Sequence, residues 1–220
     1  MKILHTSDLH LYGKSYRKLV AFNEEFDLWL DTGDHFPNVG RTHKTNMTID
    51  KVMETQFQTR WVDYKQWGTK LANWLDGRPV VFVSGNHDFI SLGTVLKRAG
   101  YKEVYEVTPE GVEVAGHKFA GFREIPYMEG EWMGETIDFN DLVEGTMASG
   151  ADLLVTHGPA AGILDEAGYG ISKLMSHLTH APHGFTHHFF GHCHAQGGQV
   201  VDEMGIQFIN GAGHKIVHTV

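Results

Sequence analysis

The sequence predicts a layered α/β sandwich, with two mixed β-sheets packed face to face and helices outside, four layers in αββα order. Three observations predict it. Five short apolar runs read as strands, and each ends in a segment carrying Asp, Asn or His. Segments of helical period lie between several of them. The last third of the chain is rich in short strands.

Taken in order, Lys2–Ser7 reads as a strand that ends at Asp8, and residues 14–22 as a helix. Phe26–Leu30 is a second strand, running into Asp31-Thr32-Gly33-Asp34. From Ile49 to Leu75 apolar residues recur at helical spacing (Val52, Met53, Phe57, Trp61, Tyr64, Trp67, Leu71, Trp74), which predicts a core-facing helical stretch with a break or bend at Gly68. Pro79–Val83 is a continuous β-branched and aromatic run, as a buried strand requires, and ends at Ser84-Gly85-Asn86-His87-Asp88. A short helix is predicted over Ser91–Ala99 and antiparallel strands over 103–122. Glu124–Glu135 reads as a loop and 139–149 as a helix. Asp152–Val155 and His187–Phe190 are buried strands ending at Thr156-His157-Gly158 and Gly191-His192-Cys193-His194. Strands over 199–201, 207–209 and 215–219 close the chain.

Composition narrows the class. With 220 residues and no repeat or linker-like tract, residues 1–220 are read as a single domain. No apolar run approaches the ~18 residues of a membrane span, and the N-terminus turns polar too early for a signal peptide. One cysteine, Cys193, excludes an internal disulfide and suits the cytoplasm. A formal charge of -9 argues against stable, sequence-independent nucleic-acid binding. It does not exclude a phosphate substrate, because two divalent cations would add about +4 at one spot.

Ligands of open α/β sheets sit outside the carboxyl ends of strands, so five strand ends can converge on one site. The segments are Asp8-Leu9-His10, Gly33-Asp34, Gly85-Asn86-His87-Asp88, Thr156-His157-Gly158 and Gly191-His192-Cys193-His194. In extended chain, residues two apart share a side, so Asp8 with His10, and His192 with His194, are expected to grip one ion each way. Glycines beside these residues permit close backbone approach. Imidazole with carboxylate suits Zn, Fe, Mn, Co or Ni. Seven ligands (Asp8, His10, Asp34, Asn86, His157, His192, His194) exceed one tetrahedral site and suit two divalent ions sharing a carboxylate.

The order D-x-H, G-D, G-N-H-D, H-G and G-H-x-H resembles the calcineurin-like metallophosphoesterase family over residues 8–194. The runs Thr156–Asp165, Phe189–His194 and Phe208–Asn210 look like its small single-domain branch related to a fetal-brain protein, whose members are phosphodiesterases. The resemblance implies Asp8, His10, Asp34 and His194 on one metal and Asp34, Asn86, His157 and His192 on the other, with Asp34 bridging. It implies in-line attack by a metal-bridging hydroxide on a small phosphate ester or nucleotide, with His87 as general acid or charge stabiliser and Asp88 orienting the His87 ring. His35-Phe36-Pro37-Asn38 stands where many relatives carry a further acid or an Asp-Arg pair, so no phosphate-gripping arginine is evident.

Two alternatives are weaker. Met1–Leu11 is similar to the start of nuclease subunits of double-strand-break repair complexes, but those carry a capping domain and the charge here is acidic. A scaffold that has lost catalysis would lack ligands that this chain keeps. Among the remaining histidines, His177, His180, His183, His187 and His188 are expected in a polar, solvated stretch and His5 in the core. His35 and His214 are candidates to line the site. Cys193 is expected to be inert as a nucleophile, having no base of its own.

Overall fold

The computed structural model describes residues 1–11, 13–36, 66–128, 132–166 and 168–220. The predicted helical stretch before residue 66, the Asn38–Met47 loop and Glu129–Glu131 lie outside these residues.

Two sheets form the centre. The first has five strands in the order β13 (Lys215–Thr219), β1 (Lys2–Thr6), β2 (Leu28–Asp31), β3 (Val80–Phe82) and β4 (Val104–Glu106). The second has six: β11 (Val200–Glu203), β12 (Ile206–Asn210), β10 (His187–Phe190), β9 (Leu153–Thr156), β6 (His117–Phe122) and β5 (Val112–Val114). Both are mixed: β1 to β4 run parallel in one and β12, β10, β9 and β6 in the other, with antiparallel strands at edges. A small parallel pair joins β7 (Ile125–Pro126) to β8 (Glu135–Thr136).

Side-chain alternation assigns each strand residue to a layer. Leu28, Leu30, Val81, Leu153, Val155 and Phe189 meet in one cluster shared by the two sheets. Their neighbours Trp29, Val80 and Phe82 join a second cluster with Leu19, Leu71, Leu75 and Leu96 from helices α1 (Gly13–Val20), α2 (residues 66–75) and α3 (Leu92–Arg98). Leu154 and Phe190 join a third with residues of α4 (Asn140–Ala148) and α5 (Ser172–His180). Strands buried on both faces explain why the runs lack polar alternation. The αββα order is as predicted.

Three local expectations fail. Helix α2 passes through Gly68 without a break. A Cβ there would approach the Val95 carbonyl oxygen to 2.9 Å, so the glycine serves close packing against α3. In residues 103–122 only β5 and β6 form an antiparallel hairpin, closed by Ala115 and Gly116 at φ 52 and 84. Strand β4 instead pairs parallel with β3, and β6 parallel with β9. The expected solvated histidine stretch is corrected at His188, which is fully buried in β10 with its Nε2 2.8 Å from Thr156 Oγ1, while His180 is exposed on α5 as expected and His177, His183 and His187 are half-buried.

Candidate metal centre

The parallel strands β1, β2, β3, β9 and β10 deliver their carboxyl ends to one edge where the sheets meet. Backbone bonds knit the loops that follow: Asp8 N to Gly33 O at 2.8 Å, His10 N to Asp34 O at 3.0 Å and Gly191 N to His157 O at 2.9 Å. A bridge between Ser7 and Ala212 continues the pattern.

All seven predicted ligands meet here. Asp8, His10 and His194 form one group whose ligand atoms lie within 4.8 Å of one another, and Asp8, Asp34 and His157 form another. His194 Nε2 lies 3.1 Å from Asp8 Oδ1. Asp34 Oδ2 lies 3.7 Å from His157 Nε2, 3.8 Å from His87 Nε2 and 4.0 Å from His10 Nε2. Asn86 Oδ1 lies 2.9 Å from His157 Nε2 and 3.1 Å from His192 Nδ1. Asp8 is thus common to both groups, while Asp34 faces three rings.

The reason they converge differs from the extended-chain argument. Asp8, His10, Asp34 and His192 have φ of 52, 39, 52 and 66, in the left-handed region. Non-glycine residues rarely adopt it, and such strain gathers at functional sites. Sharp turns rather than strand alternation aim these side chains. Close packing of loops completes the cage: a Cβ at Gly85 would strike the Asp34 carboxylate, and one at Gly191 would strike Ser7 Oγ and Asp8 Oδ2.

Charge is concentrated and sheltered. Asp8, Asp34, Asn86 and His157 are buried. Burial, then the charges of Asp8 and Asp88, push the Asp34 carboxyl well above its ordinary range. Burial also opposes ionisation of Asp8, but the bond from His194, the His157 ring and the Ser7 hydroxyl hold it below its ordinary value. Burial and neighbouring imidazoles lower His87 to about 4 and His192 to about 3, so both rings are neutral near pH 7. His194, bonded to Asp8, is raised.

His87 sits at the rim of this cage, its backbone N–H donating to Asp34 Oδ1 at 2.7 Å. The Asp88 carboxylate accepts from the amides of Gly85 (2.8 Å), Phe36 (3.0 Å) and His35 (3.3 Å), tying the Asn86–His87 loop to the segment after Asp34. His35 does not line the site: its ring is buried, 3.2 Å from Asp31 Oδ2 and packed on Trp29 and Phe36. His214 is exposed and covers Gly198. His5 is core, bonded to Thr32 Oγ1 at 3.0 Å. The Cys193 thiol is buried and pushed up to about 12, as an inert cysteine should be.

The chain belongs to the calcineurin-like phosphoesterase family. A model of that family matches residues 1–196. Metal-dependent hydrolysis of phosphoesters is the activity this family supports, and the His/Asp groups above are of the kind it uses to hold two divalent cations. No curated protein sequence matches the chain. One solved structure superposes with a TM-score of 0.69 at 12% identity, covering 95% of this chain and 89% of its own. The structure of TT1561 from Thermus thermophilus is similar at a TM-score of 0.55 and 15% identity, covering 95% of this chain and 88% of that one. At these identities the likeness concerns the fold. Among the described residues no helix is long and apolar enough to cross a membrane.

Three residues near this cluster escaped the sequence reading. Arg123 Nη2 donates to the carbonyls of Gly85 (2.9 Å) and Asp88 (3.4 Å), bracing the Asn86–His87 loop. Trp132 lies over the His87 ring, centroids 4.3 Å apart, and Tyr169 meets the His192 ring edge-on at 5.7 Å. Arg123 follows β6 and was discoverable: had β6 been read as parallel, its carboxyl end would have been a sixth strand end to inspect.

Proposed function

We propose that the protein is a dinuclear phosphodiesterase acting on a small phosphate ester or nucleotide. Asp8, His10, Asp34 and His194 would hold one cation, and Asp34, Asn86, His157 and His192 the other, with Mn, Fe, Zn or Ni as the candidate metals. One observation carries the reading. His157 Nδ1 is 2.7 Å from the Thr32 carbonyl oxygen, which can only accept, so Nδ1 carries a proton and the ring is held with Nε2 turned inward. Nε2 faces Asn86 Oδ1 at 2.9 Å and Asp34 Oδ2 at 3.7 Å. An imidazole nitrogen, an amide oxygen and a carboxylate oxygen directed at one spot suit a cation, and the His/Asp/Asn set suits a transition metal.

When bound, such a pair of cations supplies Lewis-acid activation of the phosphoryl group and a nucleophile at neutral pH. The chain's residues do the rest. The His87 ring, neutral near pH 7, presents an N–H beside Asp34, where a donor can meet charge developing on a phosphoryl or leaving oxygen. This favours charge stabilisation by His87 over delivery of a full proton. Asp88 and Arg123 position the His87 loop through its backbone. The whole chain, 1–220, is read as one domain of the small single-domain branch, and its single buried thiol suits the cytoplasm.

The test is hydrolysis of bis-p-nitrophenyl phosphate against p-nitrophenyl phosphate by manganese-loaded protein. Faster turnover of the diester, lost on chelation, supports the reading. An untouched diester in fully loaded protein refutes it.

A further inference from the structure

Two aromatic rings stand over two of the site's histidines, and the metal centre gives neither of them a task. Trp132 lies against His87 with ring centroids 4.3 Å apart and planes at 45°. Tyr169 lies against His192 at 5.7 Å and 88°, and is 37% exposed. They come from different loops. Trp132 is fixed by the Met133 amide on the Asn86 carbonyl (3.2 Å) and the Ile125 amide on the Gly134 carbonyl (2.9 Å). Tyr169 is fixed by its own amide on the Glu166 carbonyl (2.9 Å). Each loop therefore docks on backbone and leaves the ring to occupy the margin of the centre.

Gly168 and Gly170, on either side of Tyr169, line a groove of about 600 Å³ that is apolar at Tyr127, Ile137 and Phe139 and polar at Asp138, Asn140 and Lys173. Tyr127 is 59% exposed and Ile137 is 90% exposed. A bound group can cover exposed apolar side chains such as these, and the groove has room for a substituent much larger than methyl.

We propose that Trp132 and Tyr169 grip the ester substituent of the substrate, which is planar and aromatic, a nucleobase or an aryl group. The inference rests on the phosphoesterase reading above and adds the class of ester. Rigid aromatic rings at a site margin stack on planar groups at small entropic cost, and the gain for a single stacked base is typically about tenfold or more in affinity. A simple alkyl ester offers no face to stack.

The test is calorimetric binding of phenylphosphonate and methylphosphonate to the manganese-loaded protein. Both carry the same phosphonate head and neither is hydrolysed, so the ratio of their affinities isolates the ring. The wild-type protein should bind the phenyl compound about tenfold more tightly or better. That ratio should fall toward one in Trp132→Ala and in Tyr169→Ala, and return in Trp132→Phe. A ratio near one in the wild-type protein, or a ratio kept in both alanine variants, overturns the proposal. Failure of the hydrolase reading is separate: it would show as a retained phenyl preference with bis-p-nitrophenyl phosphate left uncleaved.

Discussion

Nε2 of His157 faces Oδ1 of Asn86 at 2.9 Å while the opposite ring nitrogen donates to the Thr32 carbonyl. The ring is thereby fixed with Nε2 turned to the spot that the Asn86 and Asp34 oxygens also face, so a cation bound there binds the folded arrangement and not the unfolded chain. Loading with manganese should raise the thermal midpoint over chelator-treated protein. At 100-fold excess over Kd the gain is about 2.7 kcal/mol. For a chain of this size each kcal/mol moves the midpoint by about 2–4 °C. Scanning fluorimetry in EDTA and in manganese measures it; an unmoved midpoint would count against a prebuilt cation site.

Asp34 carries the clearest conflict between stability and function. Its carboxyl is pushed up by burial and by Asp8 and Asp88. An acid whose folded pKa is raised binds protons more readily in the folded state, so folding weakens as pH rises through its ordinary value toward the raised one. Asp34→Asn removes that charge yet keeps an oxygen for the His87 amide, which Asp34 Oδ1 accepts at 2.7 Å. Without metal, this variant should melt higher than wild type at pH 7, by a few degrees, and should bind less metal. A lower midpoint without metal would show that Asp34 is not electrostatically strained.

His87 should separate metal retention from turnover. It contacts Asp34 only through its backbone N–H at hydrogen-bond distance, with its ring Nε2 3.8 Å from Asp34 Oδ2. His87→Ala should keep wild-type metal content while kcat falls by about 10²–10⁴, the usual range for a positioned proton-transfer or donor group. Metal analysis alongside single-turnover hydrolysis checks both halves. Loss of metal in this variant would make His87 a ligand.

Buried His5 and His188 and half-buried His218 predict acid lability independent of the metal. Burial lowers His188 to about 3 and, with help from His187, His218 to about 4; burial and His218 lower His5 well below its ordinary value. Their folded pKa values are depressed, so the unfolded chain binds more protons below about pH 6.5. Stability from these groups is intact above that pH and is lost as pH falls toward 3–4. The fully buried His5 and His188 each contribute a slope of up to about 1.4 kcal/mol per pH unit. His188→Gln can still bond Thr156 but does not titrate, so urea titrations of metal-free protein at pH 7 and pH 5 should show a smaller loss for the variant. An equal loss would mean that His188 is not held neutral.

The site was legible because its chemistry lies in contiguous words at strand ends. Asp8-Leu9-His10, Gly85-Asn86-His87-Asp88 and Gly191-His192-Cys193-His194 carry residue type and position together, and a parallel strand before each one places it. Left-handed backbone at Asp8, His10, Asp34 and His192 was not legible, since φ there is imposed by packing of loops distant in sequence. The same holds for Trp132 over His87, a pairing across 45 residues that no local pattern encodes. Gly68 misled because a helix-weakening residue was weighed by propensity alone, whereas the approach of Val95 selects it. His188 misled through composition: histidines and turn residues around 177–188 outweighed the strand run that buries it.

If seven side chains cage two cations, anomalous diffraction from manganese-soaked crystals should show two peaks per chain, about 3.5–4 Å apart. One would be touched by Asp8, His10 and His194, the other by Asn86, His157 and His192, with Asp34 at both. A single peak, or peaks that leave Asp34 out of contact, would contradict a two-cation cage.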